Sequence, residues 1–269
     1  MATTTAGGPP DVKKSSDAAR TADRPRMRGL LWLAVGITLA AVAAVTAVVW
    51  RHRTTGPAVT GATLDQAVPE VALVDQQGRP TTLAAFRGRV VILAPFLTDC
   101  HETCPFTTGA FIELKNALAA RHLGDRVALV EVTVDPQRDS PARLAAYQQL
   151  TGDPAVLLSG SAAALDRLWA FLGVDHTRTT NTPPLKPDWF TDQPDTYDVG
   201  HTDGVFLLDT RGHERIVILG PAVPRQPLGS NLRRLLNDPS ARPPAAAEGW
   251  TVANALDDAD ALLHHRVHS

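Results

Sequence analysis

The sequence carries no surplus of charge: 26 Lys and Arg stand against 28 Asp and Glu, a formal net charge of −2. Nucleic-acid binding draws on an excess of Lys and Arg, so no nucleic-acid partner is expected. No segment repeats. Cysteine is scarce, two in 269 residues, and neither lies near the N-terminus, which excludes a lipid anchor on an N-terminal cysteine. Residues 1–28 are mostly Ala, Thr, Pro, Gly, Lys and Arg, with almost nothing to build a core, and are expected to be disordered. Charge is missing altogether from GLLWLAVGITLAAVAAVTAVVW, Gly29 to Trp50.

That uncharged run would span roughly 33 Å as a helix, enough for the ~30 Å hydrocarbon layer of a bilayer. Trp32 and Trp50 stand near its ends, at the headgroup level that amphipathic rings favour. Arg20, Arg24, Arg26 and Arg28 precede it and only Arg51 and Arg53 follow closely. The positive-inside bias then leaves the N-terminus in the cytoplasm and the main domain outside it, a single-pass protein of the cell membrane. A cleaved signal is the other reading, but its apolar core usually runs 7–15 residues and this one is longer. The two cysteines therefore face an oxidising space. There such a pair serves as a structural disulfide, a redox couple or a soft-metal site.

Residues 51–69 read as a linker and 70–238 as the folded domain, with 239–269 an Ala/Pro-rich tail expected to be solvated. In the domain, VALV and TTL flank a turn at Gly78. RVVILAPF (Arg89 to Phe96) and VALVEVTV (Val127 to Val134) are continuous β-branched runs of the kind buried on both faces. Between them Pro105 opens a helix carrying Phe111, Leu114, Ala117 and Leu118. Ser140 and Pro141 open the next helix. AVLLSG is a third strand, followed by a helix that ends at Gly173. After an irregular Pro-rich stretch, VFLLDTRGHERIVIL forms a hairpin turning at Arg211-Gly212, and a last helix covers about Ser230 to Asn237. Such alternation predicts an α/β domain, a mixed sheet with helices on both faces. Reactive groups in such sheets gather at the carboxyl ends of the buried strands. Cys100 and Cys104 leave the first buried strand there, and DPQRDSP leaves the second.

On a helix, Cys100 and Cys104 would share a face with Cβ atoms about 5–6 Å apart, close enough for a disulfide or for one metal ion. As a staple the pair closes too short a loop to gain much. Asp99 and Glu102 would raise a neighbouring thiol pKa, whereas a bound cation would welcome them. Two thiolates make a soft site suited to Cu(I), or to Zn with more ligands. Among the histidines, His122 ends a helix, His213 sits in a hairpin turn, and His264, His265 and His268 lie in the tail. His101 lies between the cysteines but would point away from both sulfurs. His201, in TYDVGHTDGVFLLD, precedes a strand expected near the centre of the sheet, and is either a site residue or a solvated loop histidine.

These residues resemble the Sco/SenC family of membrane-anchored, thioredoxin-fold proteins that deliver copper to cytochrome c oxidase. The match rests on an ordered set over about Glu70 to Asn237: a buried strand into C-x-x-x-C-P (Cys100, Cys104, Pro105), VTVDPQRDSP, and His201 ahead of a hairpin with Asp209 and Gly212. The resemblance implies a thioredoxin-like sheet, a copper site of Cys100, Cys104 and His201, and a copper-receiving oxidase subunit as partner. Asp135 would steer the histidine or cap its own turn. Cys100 and Cys104 would double as a redox pair. Three departures stand out: PFLTD precedes Cys100 where the family usually has Phe-Gly-Tyr-Thr, the family's Pro after the first cysteine is His101 here, and 174–200 is longer and richer in Pro. Trp189 and Phe190 within it are expected to pack over the domain or to dock a partner. A membrane-tethered thiol-disulfide oxidoreductase or peroxidase without metal remains the alternative.

Overall fold

The computed structural model describes residues 33, 35–43, 45–46 and 60–264. Residues 1–28, both tryptophans and the arginines that flank the apolar run, His265 and His268 lie outside them. The chain divides into two units, 1–56 and 57–269. In the first, the described residues are helical, and Leu33, Ile37 and Leu39 are exposed. Among the described residues no helix is long and apolar enough to cross a membrane.

In the second unit, eight strands form one sheet in the order β1-β10-β9-β4-β5-β6-β2-β3. Its centre is β4 (Val90–Phe96) beside β5 (Val127–Thr133), every residue buried in both. They run parallel, Val90 opposite Val127 and Phe96 opposite Thr133. The crossover between them is α1 (Cys104–Ala120). Beyond β5, α2 (Pro141–Thr151) leads to β6 (Val156–Gly160), parallel to β5, and then α3 (Ala162–Leu172) follows. On the other side of β4 lies β9 (Gly204–Leu208), antiparallel, hairpinned to β10 (His213–Leu219). A parallel β-α-β unit joined through its central strand to an antiparallel hairpin is the mixed sheet that the alternation predicts, in the thioredoxin-like arrangement that the resemblance implies.

The local signals act as their chemistry dictates. Ser140 and Ser161 each accept a hydrogen bond from a free amide in the first turn of their helices. Gly173 closes α3 in the left-handed region, φ 69°, where a side chain would be strained. The turn between β2 (Leu73–Asp75) and β3 (Pro80–Thr81) uses Gly78 at φ 77°.

Three expectations are corrected. Part of the stretch read as a linker, Ala62–Ala67, is edge strand β1, paired antiparallel with β10. Its residues are almost all exposed, so no apolar alternation marks it. The Pro-rich stretch is not irregular throughout: β7 (His176–Thr180) and β8 (Tyr197–His201) pair as a separate two-stranded ribbon. Within it Trp189 stacks on Tyr147 and donates to the Thr98 carbonyl at 2.9 Å, while Phe190 stays 42% exposed. Third, beyond the short helix α4 (Ser230–Leu235), the stretch read as a tail carries β12 (Trp250–Thr251), paired with β11 (Ala222–Val223), and α5 (Val252–His264). Val252, Ala255, Leu256, Ala259 and Leu262 recur at helical spacing and are buried. Helix α5 packs on α1 and over β4 and β9. Its Asp258 accepts from the Thr60 amide at 2.9 Å, which ties down the start of the domain.

Trp250 is 1% exposed and meets Phe111 of α1 edge-on, ring centroids 6.1 Å apart. Trp250→Ala is expected to cost about 3–5 kcal/mol, the range for deleting a large buried ring. Urea unfolding checks it; a loss below about 1 kcal/mol would mean the C-terminal segment is a dispensable appendage.

Candidate metal centre

The last buried residues of β4 deliver a tight turn, Leu97 to Thr103, held from below by Asp139. This carboxylate accepts from the Thr98 hydroxyl at 2.5 Å and amide at 3.2 Å, and from Thr133 at 2.5 Å, so it joins the loops after β4 and β5. Burial raises its pKa to about 6 despite those bonds. Helix α1 begins at Cys104, not at Cys100, so the cysteines do not share a helical face. Cys100 precedes the helix, and its sulfur accepts from the Cys104 amide at 3.3 Å. It fills the role of a cap on a helix N-terminus, where the partial positive charge favours an anion.

His201 ends β8 and reaches across. Its Nε2 lies 3.5 Å from the Cys104 sulfur, and the ligand atoms of Cys100, Cys104 and His201 all lie within 4.8 Å of one another. Its Nδ1 lies 3.1 Å from the Thr202 carbonyl. That carbonyl can only accept, so Nδ1 carries a proton and Nε2 faces the sulfurs, a donor to them while protonated and a lone pair for an ion once it is not. The side chain is 4% exposed and Cys104 1%, while Cys100 is half-buried.

Both cysteines are free thiols, and their environments push them apart. The hydrogen bond from Cys104 holds the Cys100 thiol well below its usual pKa against the cost of burial, helped by His201. Burial pushes Cys104 well above the usual range, reinforced by the bond and the charge of Cys100. Burial opposes a charge on His201, but Cys100 and then Asp203 outweigh it and raise its pKa. The expectation that Asp99 and Glu102 raise the thiols is thus corrected for Cys100. Asp99 faces Arg138 and Arg143, at 2.5 Å and 3.1 Å, and Glu102 is exposed.

Asp135 is also corrected. It accepts from Arg138 Nε at 2.5 Å and from the Tyr197 hydroxyl at 3.0 Å, and has no bond to His201. The carboxylate beside the histidine is Asp203, whose Oδ1 stands 3.9 Å from His201 Nδ1 and accepts from the Thr103 hydroxyl at 3.1 Å. Thr103 and Asp203 are 100 residues apart, and no spacing in the sequence marks the pair.

His101 stays out of the cluster. Its Nδ1 donates to the Leu235 carbonyl at 2.6 Å, and its Nε2 lies 3.8 Å from Asp99. His101, Asp99 and Asp195 also gather three potential ligands. Arg138, however, already neutralises both carboxylates, so this group is an ion-pair network. His213 faces Asp65 and His264 faces Asp260, both at the surface.

Two thiols and one imidazole form a soft, three-coordinate donor set. Ligands about 2.0–2.3 Å from a common ion stand roughly 3.3–4 Å from one another, and the Cys104–His201 separation falls in that range.

The protein-family model described as SCO1/SenC matches residues 61–237. The chain is 30% identical over 155 residues to a Stutzerimonas stutzeri protein whose name proposes copper binding, covering 56% of this chain and 70% of that one. It is 27% identical over 163 residues to the mouse mitochondrial SCO2 homologue, covering 61% and 59%. The chain thus spans less than two thirds of that homologue's length. It is also similar to the copper-bound ScoI structure of Bradyrhizobium japonicum, with a TM-score of 0.48, 22% identity, and coverage of 63% and 97%.

Proposed function

Because this chain belongs to the SCO1/SenC family, we propose that it is a copper metallochaperone whose cargo is held by Cys100, Cys104 and His201. Its recipient is an oxidase subunit with an empty copper centre, the client that the resemblance implies. The apolar run Gly29 to Trp50 anchors it in the cell membrane, with the domain outside the cytoplasm. The observation that carries the reading is the convergence of the imidazole on two thiols 97 and 101 positions away in the chain. A lone dithiol would not require it.

The unequal thiols suit cargo handling. Cys100, whose pKa is held well below the usual thiol value, is the readier of the two to ionise and capture a cation, after which the ion's charge favours loss of the Cys104 proton. The half-buried Cys100 is the sulfur that a recipient's ligands could approach, which suits exchange rather than storage.

His201→Ala tests the reading. The reduced wild-type protein is expected to bind one equivalent of copper. The variant should bind it at least tenfold more weakly, yet still close the Cys100–Cys104 disulfide on mild oxidation. Competition against a chelator of known affinity measures the first, and mass shift after thiol alkylation the second. Equal copper affinity would remove His201 from the site. A second reading draws on the depressed Cys100 pKa, which also suits a membrane-tethered thiol-disulfide oxidoreductase or peroxidase. That reading predicts no copper stoichiometry and full turnover in the His201 variant.

A further inference from the structure

Strand β8 carries His201, but its only ladder partner among the described residues is β7; it is not hydrogen-bonded into the main sheet. At its C-terminal end, chain continuity through Thr202 and Asp203 into β9 fixes the histidine. The Thr103–Asp203 bond adds to that end. Nothing in the backbone fixes the other end against the cysteine turn.

One side chain of the DPQRDSP loop does. Arg138 Nη1 donates to Asp99 Oδ2 at 2.5 Å, to Asp195 Oδ1 at 2.8 Å and to the Tyr197 carbonyl at 3.0 Å. Its Nε donates to Asp135 at 2.5 Å, and its guanidinium lies 4.1 Å from the centre of the Tyr197 ring. Asp99 is the residue before Cys100, and Tyr197 is the first residue of the strand that His201 ends. A single buried fork therefore bonds one residue from the first thiol and one strand-length from the imidazole. Nη1 shares its two N–H groups among three acceptors while Nε bonds Asp135, so the guanidinium donates from two points to three separate segments; an ammonium is a single point that can serve the Nη1 group or Asp135 but not both.

We infer that Arg138 is a positioning residue, which sets the His201 strand against the cysteine turn so that the imidazole stands over both sulfurs before metal arrives. The inference deepens the copper reading and rests on it. Without the fork, the β7–β8 ribbon is held by the thinner ties of Tyr197 to Asp135 and of Trp189 to the Thr98 carbonyl, which leave it room to pivot about Thr202 and Asp203 and to carry His201 with it. The donor set is then assembled only when metal pulls it together, which costs affinity.

The test is Arg138→Lys, which keeps the charge among Asp99, Asp135 and Asp195 but loses the fork, in a double-mutant cycle with His201→Ala. Copper(II) is titrated anaerobically into the reduced protein against a competing chelator, with the sulfur-to-copper charge-transfer absorption recorded. Changing partners outside the ligand shell typically costs 10–100-fold in affinity. The expected result is a loss of about tenfold, with a shifted charge-transfer band, in the otherwise wild-type protein. In the His201→Ala background the loss should shrink to less than twofold, because the residue through which Arg138 acts is gone. The same loss in both backgrounds, or none in either, would overturn the inference. Should Arg138→Lys fail to fold, Asp195→Asn removes the charge of one arm and is expected to show a smaller loss with the same dependence on His201. A wild-type protein that binds no copper would refute the copper reading alone. The His201 ring nitrogen signals of the metal-free reduced protein would still decide the inference, by moving in Arg138→Lys or staying in place.

Discussion

Cys100→Ser is expected to abolish high-affinity copper binding, with a loss well beyond the 10–100-fold that changes outside the ligand shell produce. Three effects act together. A soft thiolate is replaced by a hard, protonated hydroxyl that a copper ion has little affinity for. The sulfur that accepts from the Cys104 amide at the start of α1 disappears, and with it the thiol whose ionisation the site favours. Cys104 is then left as the one thiol of the site, and its burial still opposes the ionisation that copper binding requires. Stability should change little, since serine still offers an acceptor to the Cys104 amide. That contrast separates ligand loss from unfolding. Copper stoichiometry and a urea unfolding curve on the same sample make the check. Full copper retention by the variant would refute the site, and a collapse of stability would show the cysteine turn to be a structural staple instead.

How much of this was legible in the sequence follows from where information lies along the chain. The buried strands β4, β5 and β9 announce themselves, because burial on both faces demands continuous apolar residues. The thiol pair is equally plain, four positions apart at a strand's exit. His201 is different: composition and spacing left it open as a solvated histidine, and only the ordered family motifs singled it out. Strands β1 and β7 were invisible because exposed strands carry no alternation to read. Helix α5 does have helical periodicity in VANALDDADALLH, but an Ala/Pro-rich approach masked it. Asp135 and Asp203 show the limit most sharply. Both sit within reach of a functional segment, yet which carboxylate meets the histidine depends on Arg138 drawing Asp135 away and Thr103 drawing Asp203 in. Pairings of that kind, across tens of residues, are properties of the fold and leave no local trace.

The strand read as uniformly apolar, VALVEVTV, hides the second large effect. Glu131 is 0% exposed, and its carboxyl meets that of Asp153, a pair that can hydrogen-bond only when a proton sits between them. Burial first, and then the charge of Asp153, push its pKa well above the ordinary carboxylate range. Unfolded, a glutamate titrates near 4.3. Between that value and its folded pKa the native state holds a proton that the unfolded chain has released. Stability therefore falls as pH rises, by up to about 1.4 kcal/mol per pH unit, and levels off only above the folded pKa. Asp139, near 6, and Glu214, near 7, slope the same way, so the wild-type curve alone cannot assign the effect. Glu131→Gln can, since an amide of the same shape does not titrate and Asp139 and Glu214 cancel in the difference, which then reports Glu131 together with its neighbour Asp153. The variant is expected to gain on wild type as pH rises above the glutamate's unfolded value, as read from unfolding midpoints at each pH. Parallel curves would mean that Glu131 is ionised in the fold and compensated by a partner. A steep difference would show that the central strand beside the cysteine-bearing one is held together by a proton, which makes the scaffold of the metal centre strongest on the acid side of neutrality.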